Sequence, residues 1–223
     1  MAAKNSHNHL CKKDIHSCDR LMRAAEKLFA DKGFNATSIR DITKLADCNV
    51  AAVNYHFGSK ENIYLEVFRR HLQLLSEIRI KGIQQIMSRP EQVSLETILD
   101  AFARLFYEPL VDEQAGGMFM KLMMREMLDP HLSPELFITE MIGPVRKALG
   151  QALRQVCPEL DEKTLGLCIF SLIGQLIHTI HMQKMTNAFK GADLPFADRK
   201  VLFEHIVRFT AAGIRSMEKK NSK

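Results

Sequence analysis

His178, His181 and Met182 stand at i, i+3 and i+4, a spacing that brings imidazole and thioether groups to one face of a helix, as a metal would need. No cysteine or carboxylate neighbours them in sequence to complete a ligand set, so neither a metal nor any other cofactor is expected. His7, His9, Cys11, His16 and Cys18 also carry ligand atoms, but they open the chain in a polar stretch that reads as a mobile tail. Cys48 is a candidate redox thiol whose apolar surroundings read more simply as a core position. A helical enzyme using His178, His181 or Glu126 is the catalytic alternative. The chain offers it no nucleophile–base pair and no glycine loop for phosphate, and catalysis is not expected.

Residues 48–61, CNVAAVNYHFGSKE, carry a different chemistry. On a helix, Ala51 and Ala52 leave clearance for close approach and can touch a thymine methyl. Asn49 and Asn54 can donate to base edges and accept from them. Tyr55 and His56 are long enough to reach phosphates. Lys60 falls in the first turn of the next helix, where a cation opposes the helix dipole and a phosphate nearby would explain its presence. Phe57 reads as a staple between helices. These residue types fit a double-stranded DNA operator.

The elements that must position them follow from apolar spacing and stop signals. From Asp19, Leu21, Ala25, Leu28 and Phe29 recur at helical spacing until Gly33. Thr37 or Ser38 caps a short helix with Ile39, Ile42 and Leu45 or Ala46 inward. A second short helix begins at Asn49 or Val50, with Val53 inward, and Gly58 breaks it. Ser59 then caps a long helix whose apolar face runs through Ile63, Val67 and Leu74. Two short helices joined by a three-residue turn, supported by a preceding helix, are the parts of a helix-turn-helix.

Further along, Ser94 to Tyr107 reads as an amphipathic helix closed by Pro109, and 115–128 as a Met-rich helix. Pro134 opens a helix kinked near Gly143-Pro144. Asp161 caps a long apolar helix to about Asn187, a loop with Gly191 and Pro195 follows, and a last helix spans roughly Ala197 to Met217. With no alternating stretch, the expected fold is all-α: about nine helices, as a three-helix head and a larger bundle. The expected organisation is a tail over 1–16, a DNA-binding domain over 17–65, and a ligand-binding and dimerisation domain over 66–218.

Charge placement agrees with that division. Residues 1–70 hold 12 Lys/Arg against 8 Asp/Glu, and the other 153 hold 19 against 18, so the basic excess sits in the first third. The five cysteines form no Cys-x-x-Cys pair and read as reduced thiols in a cytoplasm. No apolar run of bilayer-spanning length and no signal peptide is expected, and no membrane partner.

Residues 20–68, RLMRAAEKLFADKGFNATSIRDITKLADCNVAAVNYHFGSKENIYLEVF, resemble the TetR family of bacterial transcriptional regulators. The entry A-x-x-L-F-x-x-x-G-F-x-x-T-S, the second helix I-x-x-L-A and the exit Y-H-F-x-S-K-E carry the likeness. It implies that Thr37 and Lys60 contact phosphates and that Asn49, Ala51, Ala52, Asn54, Tyr55 and His56 belong to the recognition helix. Ser38, beside Thr37, joins the DNA-facing set. Asp47 stands where the family has a turn glycine, Thr43 replaces a small alanine, and Val50-Ala51-Ala52 differs from the commoner start. Downstream, MMREMLDPHLSPELFITEMIGPVRKALGQAL and SLIGQLIHTIHMQK are similar to a subgroup with Arg-Glu and Gly-Gln in those places.

The resemblance also implies a homodimer through the last two long helices. Gly166, Ser171 and Gly174 on one and Phe203, Ile206 and Ala211 on the other are the expected seam. A small apolar or amphipathic effector is expected between the helices of 95–186. Its candidate contacts are Phe102, Phe106, Phe119, Leu122, Met123, Arg125, Glu126 and His178, although Arg125 and Glu126 read first as a structural ion-pairing set and only second as ligand contacts. The implied activity is that of a repressor released from a palindromic operator. A ligand-blind architectural DNA-binding protein is the alternative.

Overall fold

Ten α-helical segments follow one another: α1 (Lys4–Lys32), α2 (Ile39–Ala46), α3 (Val50–His56), α4 (Lys60–Met87), α5 (Leu95–Val111), α6 (Gly116–Leu128), α7 (Pro134–Phe137), α8 (Gly143–Val156), α9 (Glu162–Ala188) and α10 (Arg199–Asn221). A π-helical turn, Ile138–Ile142, joins α7 to α8. Counted as one interrupted helix, that trio makes nine helices and no strand among the described residues, an all-α fold. The computed structural model describes residues 4–89, 91, 93–111, 116–188 and 198–221, with side-chain surroundings for those within 16–182 and 198–218. The expected loop with Gly191 and Pro195, and the side chains of His7, His9 and Cys11, lie outside the described residues.

The chain forms two units. Unit 1 takes residues 1–72 and 113–136, and unit 2 takes 73–112 and 137–223. The boundary expected near residue 65 therefore falls inside α4, and α6, expected in the second domain, packs on α1 in unit 1. Helix α1 begins at Lys4 rather than at Asp19. The sequence has no Gly or Pro between Met1 and Gly33 to stop a helix earlier.

In unit 1, α1, α2 and α3 close over Leu21, Ala25, Phe29, Ile42 and Val53, against Ile63, Phe68 and Leu72 of α4. Leu45 and Leu74, expected inward, are exposed, and Ala46 and Leu75 take the buried positions. Phe29 meets Tyr64 edge-on at 4.9 Å, and Phe34 meets it at 5.0 Å. Unit 2 packs α5, α8, α9 and α10 around Ile98, Phe102, Leu149, Leu153, Leu172 and Ile206. Helix α5 continues through Pro109 to Val111, although that proline has no N–H to donate to the carbonyl four residues back.

The kink expected at Gly143-Pro144 is the π-turn. Pro144 has no N–H and crowds the carbonyl four residues back. The widened turn solves this, with the Gly143 amide donating to Ile138 O. A Cβ on Gly143 would lie 2.9 Å from that oxygen, so glycine is required.

One expectation fails on α9. Its segment Glu162–Met182, 21 residues, is long and apolar enough to cross a membrane by length and composition. Gln175, Thr179 and the glycines break the apolar run residue by residue while its average stays apolar, which hides the segment from a search for continuous runs.

Candidate nucleic-acid interface

Each boundary of the helix pair is set by a local bond. Ser38 caps α2: its Oγ accepts from Asp41 N at 3.1 Å, while its own N–H donates to Asp41 Oδ2 at 3.1 Å. The Ser38 hydroxyl, donating to Asp41 Oδ2 at 2.7 Å, and then that main-chain N–H hold the Asp41 carboxyl below its ordinary range. Asp47 ends α2 in the left-handed region at φ 51, and the Cys48 amide donates to Thr43 O at 3.0 Å. Asn49 caps α3 by accepting from Ala52 N at 2.8 Å. Gly58, at φ 77, turns the chain into α4, with its amide on Val53 O.

Asp47 is the only non-glycine residue with positive φ among the described ones. Aspartate tolerates this conformation, and a β-branched side chain does not. Asp47→Val is expected to lower unfolding free energy by about 1–2 kcal/mol, whereas Asp47→Gly leaves it unchanged or slightly raised. Urea denaturation of the two variants checks this, and equal midpoints would contradict it.

With the caps formed, α3 exposes Val50, Ala51, Asn54 and Tyr55 together, Tyr55 at 77% of its surface, while Val53 is buried. Ala52 and His56 are half-buried at its edge. Three expected contacts look different in place. Thr37 is buried, and its hydroxyl donates to Gly33 O at 2.8 Å, which fixes the turn after α1 and turns the side chain away from solvent. Asn49 spends its side-chain oxygen on the cap. Lys60 donates to Phe34 O and Thr37 O, each at 3.1 Å, and sits 4.1 Å from the Phe34 ring centre. Those carbonyls explain a cation at that helix start without a phosphate, and one N–H of three is left for another partner. Sequence reasoning passed over Arg40 and Lys44, both exposed on α2. The signal was present, since the first helix of such a pair crosses the DNA backbone and rewards cations.

The expected effector contacts divide between the units. Phe119, Leu122, Met123, Arg125 and Glu126 lie in unit 1, and Phe102, Phe106 and His178 in unit 2, where His178 is exposed. Phe119 stacks on His71 at 4.6 Å, and that imidazole bonds Glu26 at 2.8 Å. Arg125 donates to Ala30 O at 2.9 Å and Asp31 O at 2.7 Å, a cation on the carbonyl end of α1. Glu126 is buried and accepts from Tyr64 Oη at 2.8 Å, His131 N at 2.8 Å and Leu132 N at 2.7 Å. The adjacent charges thus do not pair with each other. They bind α6 and the residues after it to α1 and α4.

Of the expected seam residues, Phe203, Ile206 and Ala211 are buried within unit 2, so that part of the expectation is corrected. Phe203 lies edge-on to Tyr107 at 5.1 Å. Gly166, Ser171 and Gly174 do not share that burial, and a Cβ on either glycine would meet nothing within 4 Å. Among the described residues no group of three or more His, Cys, Asp or Glu side chains is placed to hold a metal.

Comparison with known proteins fits this geometry. The model of bacterial regulatory proteins of the tetR family matches residues 21–67. The model of the C-terminal domain of the HTH-type transcriptional dual regulator CecR matches residues 95–214. The regulator CecR of Shigella flexneri is 26% identical over 171 residues, 71% of this chain and 73% of that protein. A protein from Mesorhizobium loti assigned to the TetR family superposes with a TM-score of 0.65 at 19% identity, covering 89% of this chain and 96% of its own. One from Pseudomonas aeruginosa, assigned as a transcriptional regulator, gives 0.65 at 20%, covering 90% and 93%. At these identities the structural likeness is one of fold. The two family models together span the head and most of the bundle, and the chain belongs to the TetR family of helix-turn-helix transcriptional regulators.

Proposed function

We propose that the chain is a cytoplasmic, dimeric repressor that occupies a palindromic operator and leaves it when a small apolar or amphipathic effector binds unit 2. The observation that carries the DNA reading is the capped α2–α3 pair with Ala51, Asn54 and Tyr55 exposed on one face of the second helix. Asn54 reads bases, Tyr55 reaches the backbone, and Arg40 and Lys44 neutralise phosphates. A small-molecule effector acts by binding the DNA-bound and DNA-free forms unequally.

The dimer reading is supported by what α9 and α10 leave uncovered. Leu167, Phe170 and Ile177 of α9 and Val201, Phe209 and Met217 of α10 are exposed, Phe170 at 75%. Only 28% of the apolar α9 window is buried within the chain, so a large apolar face asks for cover. Gly166, Gly174 and Gly213 interrupt that face, and nothing inside the subunit uses their missing side chains. A glycine in a helix interior costs about 0.5–1 kcal/mol relative to alanine, which close approach by a second helix would offset. A two-fold operator needs two recognition helices one DNA turn, about 34 Å, apart.

The test compares Asn54→Ala with Lys44→Ala on the DNA upstream of the chain's own gene. Asn54→Ala is expected to cost about 1–3 kcal/mol on the preferred sequence and little on unrelated DNA. Lys44→Ala is expected to weaken all sequences alike and to reduce the log–log salt slope by about one. Fluorescence anisotropy between low and moderate salt reads both. Equal losses of specific and non-specific affinity in Asn54→Ala would place base reading elsewhere.

A further inference from the structure

Arg79, on α4 within unit 2, is only 2% exposed, the largest side chain so deeply buried. Among the described residues no carboxylate pairs with it. Its Nη1 donates to Met141 Sδ at 3.0 Å, a weak acceptor. Its Nη2 reaches Phe106 O at a marginal 3.5 Å, and the guanidinium carbon stands 4.3 Å from the centre of the Phe106 ring. Its Nε is buried with no hydrogen-bond partner. Burial pushes the guanidinium down to about 10, which still leaves it cationic at neutral pH. A buried cation held by a thioether, an aromatic face and one distant carbonyl is far from satisfied, since buried charges are ordinarily paired and fully hydrogen-bonded.

A second observation falls on the same spot. Met141 belongs to the π-helical turn, a rare geometry that concentrates at functional sites. No side chain of that turn is buried, and Ile138 and Ile142 are largely exposed. The turn that covers Arg79 is therefore held by little apolar burial of its own, the condition under which a segment opens locally. Phe106, against the guanidinium, and Phe102, its ring centre 6.0 Å from that of Phe106, offer apolar walls.

We propose that Arg79 is the anion anchor of the effector site, and that the effector is an amphipathic small molecule with an oxyanion head, carboxylate or phosphate ester, on an apolar body. The head takes the Nε–Nη2 edge as a planar, two-bond partner, which satisfies the orphaned Nε and replaces the marginal bond to Phe106 O. The body lies against Phe102 and Phe106 as the π-turn moves aside. The proposal rests on the ligand-responsive reading above and narrows its chemistry to anions.

The test uses the full-length protein and matched ligands: octanoate and 4-butylbenzoate, their primary amides, octyl phosphate, and inorganic phosphate alone. Melting temperature and operator affinity are read for each. The expected result is that at least one amphipathic anion raises the melting temperature and its neutral partner does not, with inorganic phosphate inert. In Arg79→Met the anion's affinity falls by about thirtyfold or more. That variant's own melting temperature stays equal or rises, because an apolar replacement removes a buried charge. Should Arg79→Met not fold, the acid–amide comparison on the unmodified protein still decides. Octyl phosphate against the carboxylates tells the two head groups apart. Amides that match their acids, or an Arg79→Met protein that keeps the anion response, would overturn the anchor. If neutral amphiphiles then still release DNA, the ligand-responsive reading survives alone. If anions bind at Arg79 without changing operator affinity, the site stands and that reading falls.

Discussion

Gly174→Arg is expected to convert the protein from a dimer to a folded monomer at micromolar concentration and to lower operator affinity by at least about a hundredfold. A side chain at position 174 meets nothing within 4 Å inside the subunit, so the fold has room for it. Within the helix, replacing glycine by arginine favours the subunit by nearly 1 kcal/mol. The damage falls on the partner. A long cation placed between two closely approaching helices either blocks the approach or is buried unpaired, at a cost of several kcal/mol. Binding by two coupled heads then becomes binding by one, and the avidity of the pair is lost. Phe170→Glu, at the most exposed phenylalanine of the same face, acts in the same direction. Sedimentation, thermal melting and anisotropy together separate this from misfolding: the mass halves and a cooperative melting transition persists, shifted down and no longer dependent on protein concentration because association no longer stabilises the fold. A variant that still sediments as a dimer moves the seam off α9.

The same two helices show why a sequence yields some of this architecture and withholds the rest. The head is legible because its boundaries are written by neighbours: Ser38 with Asp41, Asn49 with Ala52, and Gly58 where only a left-handed residue fits. Such bonds span three residues or fewer and depend on nothing else in the fold. Helix α10 is apolar on two faces. Phe203, Ile206 and Ala211 fill the subunit's own core, while Val201, Phe209 and Met217 face out. Periodicity finds both stripes and cannot rank them, so the seam residues assigned to α10 came from the wrong face. Thr37 and Lys60 mislead for a related reason. Their types suit phosphate, yet their hydrogen-bond partners are main-chain carbonyls at the turn after α1, and those of Lys60 lie more than twenty residues away. Arg79 lay beyond sequence reasoning altogether. An arginine on an amphipathic helix is ordinarily solvated, and only the packing of α5 and the π-turn over it makes its lack of a carboxylate visible.

Long-range partners decide the effect of Glu126 as well. Glu126→Ala is expected to destabilise unit 1 by about 3–5 kcal/mol, since it leaves one hydroxyl and two main-chain amides without their acceptor, at roughly 1–3 kcal/mol for each buried donor. The three donors come from separate places: Tyr64 on α4, and His131 and Leu132 in the segment after α6. Glu126→Gln keeps one carbonyl oxygen and should lose about half as much. In a double-mutant cycle with Tyr64→Phe, the coupling is expected to be about 1–2 kcal/mol, because the 2.8 Å phenol–carboxylate bond is then the shared element. The pH dependence has a definite sign. Burial, and then the Glu126 hydrogen bond, raise the Tyr64 phenol above its ordinary value. The unfolded chain therefore loses that proton first, near pH 10, and stability present below that pH drains away as the pH climbs further. Urea midpoints measured at neutral pH and again above pH 10 should show a steeper alkaline loss in the parent protein than in Tyr64→Phe. A Glu126→Ala protein within 1 kcal/mol of the parent would mean that the carboxylate's three bonds carry no net stability. A ligand role for Glu126 would then regain its place, whereas a large loss ties α6 to the DNA-reading unit through this one buried carboxylate.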